Sequence, residues 1–179
     1  MNSSDSESVV QSRWKLRPAI EADHDKIRQL VFGVLAEYGL QPDPEGTDAD
    51  LNNVAVSYQD PGGLFDVLID DTGVIVGTVG LFPVTSDRCE LRKMYLLRRA
   101  RGQGHGRRML DYAIGQAVAR GFRRLELETA SVLVEALALY ERYGFVRFTP
   151  DHMVPRCDCA YYLDLTGRQH QGSLISLSS

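Results

Sequence analysis

Residues 99 to 108 read RARGQGHGRR, with glycines at the alternate positions 102, 104 and 106 and arginines on both sides. A backbone free of Cβ atoms can come close to a bound group, and arginine supplies paired donors to phosphate oxygens. If such a turn opens a helix, the unpaired N–H groups of the first turn and their partial positive charge form an anion cradle. The chemistry indicated is phosphate or pyrophosphate binding, with Arg101, Arg107 and Arg108 adding charge-assisted hydrogen bonds. The site has to be local, because the chain carries a net charge of −4 and a pI near 5.6. A chain of that balance has no general basic field for nucleic acid or an anionic membrane.

Spacing narrows the ligand. A dinucleotide fingerprint needs G-x-G-x-x-G, and the third glycine falls on Arg107 when counted from Gly102 and on Met109 when counted from Gly104. A P-loop needs Gly-Lys followed by Ser or Thr, a tripeptide the sequence lacks.

The elements that must position the cradle follow from periodicity. Trp14 to Arg17 reads as a strand stopped by Pro18, with Asp23 as the cap of a helix in which Ile27, Leu30, Val31, Val34, Leu35 and Tyr38 recur at intervals of three and four. QPDPEG is a loop, and residues 48 to 57 read as a short second helix. LFDVLID and VIVGTVGLF form a β-hairpin around Asp71, Thr72 and Gly73. ELRKMYLL is a strand that runs into the arginines, and the stripe Met109, Leu110, Ala113, Ile114, Ala117, Val118 predicts a helix ending at Gly121. RRLELETA is a strand, Leu133 to about Tyr143 a helix, and FVRFT and AYYLDL close the order β α α β β β α β α β β. The strand-helix-strand from Glu90 to Thr129 should be a parallel, right-handed crossover within a mixed sheet that has helices on both faces. With 179 residues, 44% of them hydrophobic, one domain is the expectation. It spans residues 13 to 165, between Ser- and Gln-rich tails at 1–12 and 166–179.

Arg101-Gly102-Gln103-Gly104-His105-Gly106 resembles the R/Q-x-x-G-x-G/A signature of the Gcn5-related N-acetyltransferases (GNAT), which begins a helix after the fourth strand. ALALYERYGF is similar to the later A-x-x-L-Y-x-x-x-G-F segment of that family, in the right order. The resemblance implies a single-domain α/β fold with a mostly antiparallel sheet, a central parallel strand pair and helices on both faces. It implies N-acetyltransferase activity with acetyl-CoA as cosubstrate and no metal, the pyrophosphate lying on the N–H groups of residues 102 to 107.

Acetyl transfer to an amine needs a neutral amine, stabilisation of charge on the carbonyl oxygen and protonation of the departing thiolate. An alkylammonium titrates near lysine, about 10.4, so a base or a water chain must act at neutral pH. Glu90, at the start of the strand leading to the cradle, matches the strand glutamate that serves as base in some members; the plain alternative is a strand-end glutamate paired to Arg92 or Lys93. Met94 matches the position whose backbone N–H meets the oxyanion, and Leu96 the one whose main chain holds the pantetheine arm. Strand alternation puts Glu90, Arg92, Met94 and Leu96 on one side, so Met94 is equally a core residue. Tyr140 matches the tyrosine that protonates the thiolate. The family asparagine seven residues earlier is replaced by Leu133, while Ala136 keeps the small residue between them.

The remaining features are weaker. His105 lies where it would face phosphate and not a reacting carbonyl. His152, Cys157 and Cys159 offer three ligands at no recognised zinc spacing. Of Tyr161 and Tyr162, one should face the core. The loops EYGLQPDPEGTD and 150 to 158 frame the acceptor side, where their acids would suit a cationic amine. The partners expected are a small-molecule amine, no nucleic acid, no membrane and, as a candidate, a homodimer; a protein amine or a non-catalytic acyl-CoA module are the competing readings. Three cysteines suit a reducing, cytoplasmic setting.

Overall fold

The alternating strand Leu64–Ile69 (β2) divides the interior in two: Phe65 and Val67 enter one core, Leu64 and Leu68 the other. The computed structural model describes residues 14–168, so the tails read at 1–12 and 166–179 lie outside it except for the turn at 166–168. Strands β1 (Lys15–Pro18), β2, β3 (Ile75–Pro83), β4 (Arg88–Leu96), β5 (Arg124–Thr129), β6 (Val146–Phe148) and β7 (Cys159–Asp164) form one sheet in the order β1-β2-β3-β4-β5-β7-β6. Every pair is antiparallel except β4–β5, the crossover pair expected from the sequence. Helix α1 (His24–Glu37) buries Ile27, Val31 and Leu35 against the first face. Helices α2 (His105–Ala119) and α3 (Val134–Arg142) cover the second, through Met109, Leu110, Ala113 and Tyr140. Each fully buried Leu or Ile of these stripes contributes about 1.5–3 kcal/mol.

One local expectation is refined and one corrected. Asp23 stands at the N-cap of α1, as expected, but gives that helix no side-chain capping bond. It ends a 3₁₀ turn, Glu21–Asp23, where its carboxylate accepts from the Ile20 N–H at 3.0 Å and pairs with Arg17 at 2.5 and 2.9 Å. The helix expected at 48–57 is two short turns, Ala49–Asn52 and Ala55–Gln59. Asn53 is extended between them, and its side chain accepts from the Val56 N–H at 3.1 Å, a local bond that competes with helix continuation.

The central feature lies in β4. Between Thr78–Gly80 on β3, two residues apart, β4 runs from Arg92 to Tyr95, three apart, so one extra residue is accommodated. Lys93 carries it at φ 52°, the one non-glycine residue in the left-handed region among those described, and its carbonyl accepts from Thr78 Oγ1 at 2.7 Å. The bulge reverses side-chain parity. Glu90 and Arg92 point to the α1 face, where Arg92 lies 3.9 Å over the Phe82 ring, whereas Met94 and Leu96 pack on the α2 side with Leu91. The single row Glu90, Arg92, Met94, Leu96 read from alternation is therefore split between the two faces.

Candidate active site

Parallel pairing of β4 with β5 stops after Glu90↔Glu126, three steps in. Beyond it β4 stays with β3 and β5 stays with β7 as far as Thr129, so the two central strands part. A cavity of about 760 Å³ fills the split. It is lined from the α2–α3 side by Gly104, Gly106, Arg107, Ala136 and Tyr140 and from the α1 side by Val34, Tyr38, Thr47 and Asp50. That volume falls in the ordinary range of small-molecule sites.

One end of the cavity is the cradle. Gly102 and Gly104 take φ 74° and 80°, conformations that favour glycine, and Gly104 is the N-cap of α2. The first helical bond is Arg108 N–H to Gly104 O at 3.1 Å; the N–H groups of residues 102 to 107 donate to no other described residue. Six consecutive donors at the positive end of a 15-residue helix fit a pyrophosphate.

The side chains around the cradle divide. Arg107 lines the cavity, whereas Gln103 turns back to the Arg99 carbonyl at 2.7 Å and Arg108 stays outside. Arg101, read as a phosphate ligand, is largely spent on the fold: Nε donates to Leu96 O at 2.9 Å and Nη1 to Glu37 at 2.8 Å, which ties α1 to the end of β4. Its Nη2 is buried without a partner among the described residues, one donor left for a ligand. His105 turns its ring away and stacks on Trp14 at 3.9 Å; burial, then Arg108, lowers its pKa. Only its backbone faces the cradle.

At the middle of the split, Met94 follows the bulge with no partner residue in the pairing to β3 or β5. Leu96 pairs with Gly77, and its carbonyl is already used by Arg101. Tyr140 is 6% exposed, packs on Phe145 at 5.5 Å and lines the cavity, and its hydroxyl bonds to no described residue. Burial pushes the phenol well above its ordinary value. Helix α3, which carries it, is fixed to α2 by the Tyr143 hydroxyl on Asp111 at 2.6 Å. Leu133 and Ala136 line the same wall, so the family asparagine position contributes an apolar contact.

The opposite end of the cavity was only partly legible. Both loops read as framing the acceptor contribute, through Gly46, Thr47, Val154, Arg156 and Cys157. Of their acids, Glu37, Asp43, Asp48 and Asp158 are engaged, and Glu45 and Asp151 do not line the cavity. Asp43 holds the Gly46 and Thr47 amides at 3.1 and 2.8 Å. Asp48, fully buried, binds Arg156 through two 2.6 Å bonds and Lys93 Nζ at 2.7 Å. Burial alone would raise Asp48, yet Arg156, the Asp43 amide and Lys93 together hold it at about 2. Sequence reasoning missed this cluster because its members lie 45 and 108 residues from Asp48. Glu90 accepts from Arg92 at 2.6 Å, the paired arrangement that had been the alternative to a base. Glu128, not singled out, lines the cavity; the signal available was its place in RRLELETA, two residues beyond Glu126 on the same strand face. The Cys157 thiol is pushed up to about 12, first by burial and then by Glu128, so it is a neutral wall group. No three His, Cys, Asp or Glu side chains among the described residues are grouped to hold a metal ion.

A strand split, a glycine cradle at a helix N-terminus and a tyrosine on the following helix are thus assembled in one cavity, and comparison with known proteins gives the arrangement a family. The acetyltransferase (GNAT) family model matches residues 29–145. An uncharacterized N-acetyltransferase, YjgM of Escherichia coli (strain K12), is 37% identical over 92% of this chain and 95% of its own length. Among solved structures, a GNAT-family acetyltransferase from Staphylococcus aureus Mu50 superimposes with a TM-score of 0.80 at 21% identity, over 86% of this chain and 99% of that one. The spermidine N-acetyltransferase from Vibrio cholerae, solved with CoA and spermine, does so at 0.65 and 18%, over 85% and 95%. The family model, a sequence relative along nearly the full length and a shared fold agree with the geometry: this chain belongs to the GNAT acetyltransferase family.

Proposed function

We propose that the protein transfers the acetyl group of acetyl-CoA directly to the primary amine of a small molecule. The observation that carries this reading is the run of six unbonded N–H groups, residues 102 to 107, of which Gly102, Gly104, Gly106 and Arg107 line the cavity in the split between β4 and β5. Acetyl-CoA supplies the activated thioester. The cradle and Arg107 hold its pyrophosphate, the Met94 N–H meets the carbonyl oxygen, and the Leu96 main chain aligns the arm. Tyr140, whose phenol burial pushes above its ordinary value, keeps its proton at neutral pH and serves as the acid for sulfur; the same burial raises the proton affinity of a thiolate beside it in the same sense. Cys157, neutral, is a poor nucleophile, which supports attack by the amine itself and not a relay through an acyl-enzyme.

A small acceptor is supported by the Asp48–Arg156 clamp, which joins the loop after α1 to the β6–β7 loop over the acceptor end. A peptide would need an open trough there. A cytoplasmic setting is supported by three cysteines that are all free thiols.

Calorimetric titration with acetyl-CoA, desulfo-CoA and NADH tests the reading, followed by thiol release over a panel of amino acids, alkylamines, diamines and short peptides. Binding of both coenzyme forms without NADH, then turnover of a small amine, is expected. Absence of coenzyme binding would overturn it, and preference for peptides would move the acceptor to protein amines. Tyr140→Phe is expected to lower kcat about 100-fold, within the range of general acid catalysis, with acetyl-CoA affinity unchanged. Equal kcat in the two proteins would return Tyr140 to packing against Phe145.

A further inference from the structure

We infer that Glu128, and not the Arg92-paired Glu90, is the carboxylate that takes the proton from the acceptor ammonium; this rests on the acetyl-transfer reading above. The sheet register places it. β4 and β5 separate after Glu90↔Glu126, and Glu128 lies two residues further along β5, on the face of Glu126 and at the start of the open part of the split. It lines the cavity and is half-buried. Its Oε2 accepts the Val154 N–H at 2.9 Å, which orients the group, and it forms no ion pair with a described residue.

The carboxylates on β4 and in the segment after α1 are engaged, and Glu135, which also lines the cavity without an ion pair to a described residue, comes from the first turn of α3 on the cradle side. Glu90 has Arg92 at 2.6 Å. Asp50 receives the Tyr58 hydroxyl and lies 3.3 Å from Lys93 Nζ and 4.0 Å from Arg92. Asp48 has Arg156 and Lys93. An ammonium entering from the α1 side therefore finds in Glu128 a carboxylate whose charge has no cation already upon it. The surrounding charges favour proton uptake. Burial raises the Glu128 carboxyl above the usual range, Glu90 and Glu126 add repulsion, and the Val154 amide and Arg92 offset it only in part. The neutral Cys157 thiol beside it contributes no charge. A base raised toward neutrality is better matched to an ammonium than an ordinary glutamate.

The step balances as follows. The ammonium gives one proton to Glu128, which passes it to solvent. The freed nitrogen lone pair forms the C–N bond as the C–S bond breaks. Tyr140 gives its proton to sulfur, and the second proton lost by nitrogen restores the phenol.

The test compares pH profiles of kcat/KM for wild type, Glu128→Gln, Glu128→Asp and Glu90→Gln, using the amine of the panel that the wild type turns over fastest. Glu128→Gln keeps an oxygen for the Val154 N–H, so folding should survive, and acetyl-CoA affinity should not change. We expect it to lose about 100-fold near neutral pH, with the deficit shrinking as rising pH supplies free amine. Glu128→Asp, which restores the carboxylate, should recover part of the loss, and Glu90→Gln should lose less than about 10-fold with the profile shape retained. A wild-type profile in Glu128→Gln, or the pH-dependent loss in Glu90→Gln instead, would overturn the assignment while leaving acetyl transfer intact. No turnover of any amine by the wild type would overturn the functional reading and the base with it.

Discussion

Asp48→Ala is expected to lower the stability of the protein by about 3–5 kcal/mol, read from urea denaturation at neutral pH, because it leaves Arg156 without its anion and Lys93 with only Asp50, 3.3 Å away. Lys93 is 4% and Arg156 14% exposed at the side chain, so neither charge can turn to water without moving a loop or the β4 bulge. The same carboxylate gives a pH signature. Its folded pKa of about 2 lies below the ordinary 3.8, so its contribution is fully present above about pH 4 and is lost as the pH falls toward 2. At ~1.4 kcal/mol per unit, the acid-sensitive part is about 2 kcal/mol, and it should be missing from the stability profile of the variant. A change below about 1 kcal/mol, the level of an exposed pair, would mean that the cluster is solvated. Because Lys93 sits at φ 52°, the variant should also relax the bulge, and its kcat should fall with the stability.

Gly104→Val is expected to weaken acetyl-CoA binding by tenfold or more, at least ~1.4 kcal/mol, in the same calorimetric titration. Crowding by the protein is not the cause, since a Cβ at Gly104 meets no atom within 4 Å. The cause is the backbone: φ 80° and ψ 0° lie where a β-branched residue is strained, at a cost of about 1–2 kcal/mol. Relief of that strain turns the neighbouring N–H groups away from their common focus. Gly104→Asn separates this from simple obstruction, because asparagine tolerates the left-handed region. If asparagine binds the coenzyme well and valine does not, backbone geometry makes the cradle. If both bind as the wild type does, the glycine stretch is only a turn and the pyrophosphate lies elsewhere.

What the sequence determined was local in origin. The cradle is six adjacent residues whose glycines and helix start are neighbours in the chain, so the unbonded N–H groups followed from reading 101 to 107 in order. Helices α1, α2 and α3 and the β2–β3 hairpin were legible for the same reason, since periodicity and turn residues act within a few positions. The parallel β4–β5 pair followed from handedness and length once a helix was read between two strands.

Tertiary structure decided the rest. Arg101 appeared free in the sequence, but the approach of α1 brings Glu37 to it from 64 residues away. The parity of β4 changed because one residue, Lys93, takes φ 52°; that strain is held by an anion 45 positions distant and leaves no mark in hydrophobic alternation. Glu90 and Glu128 look alike as strand glutamates. Both line the cavity, and what separates them is that Arg92 reaches Glu90 whereas Glu128 has no ion pair with a described residue. Side-chain type and local period fix what a residue can do, but whether its charge is already neutralised depends on segments the fold alone brings together.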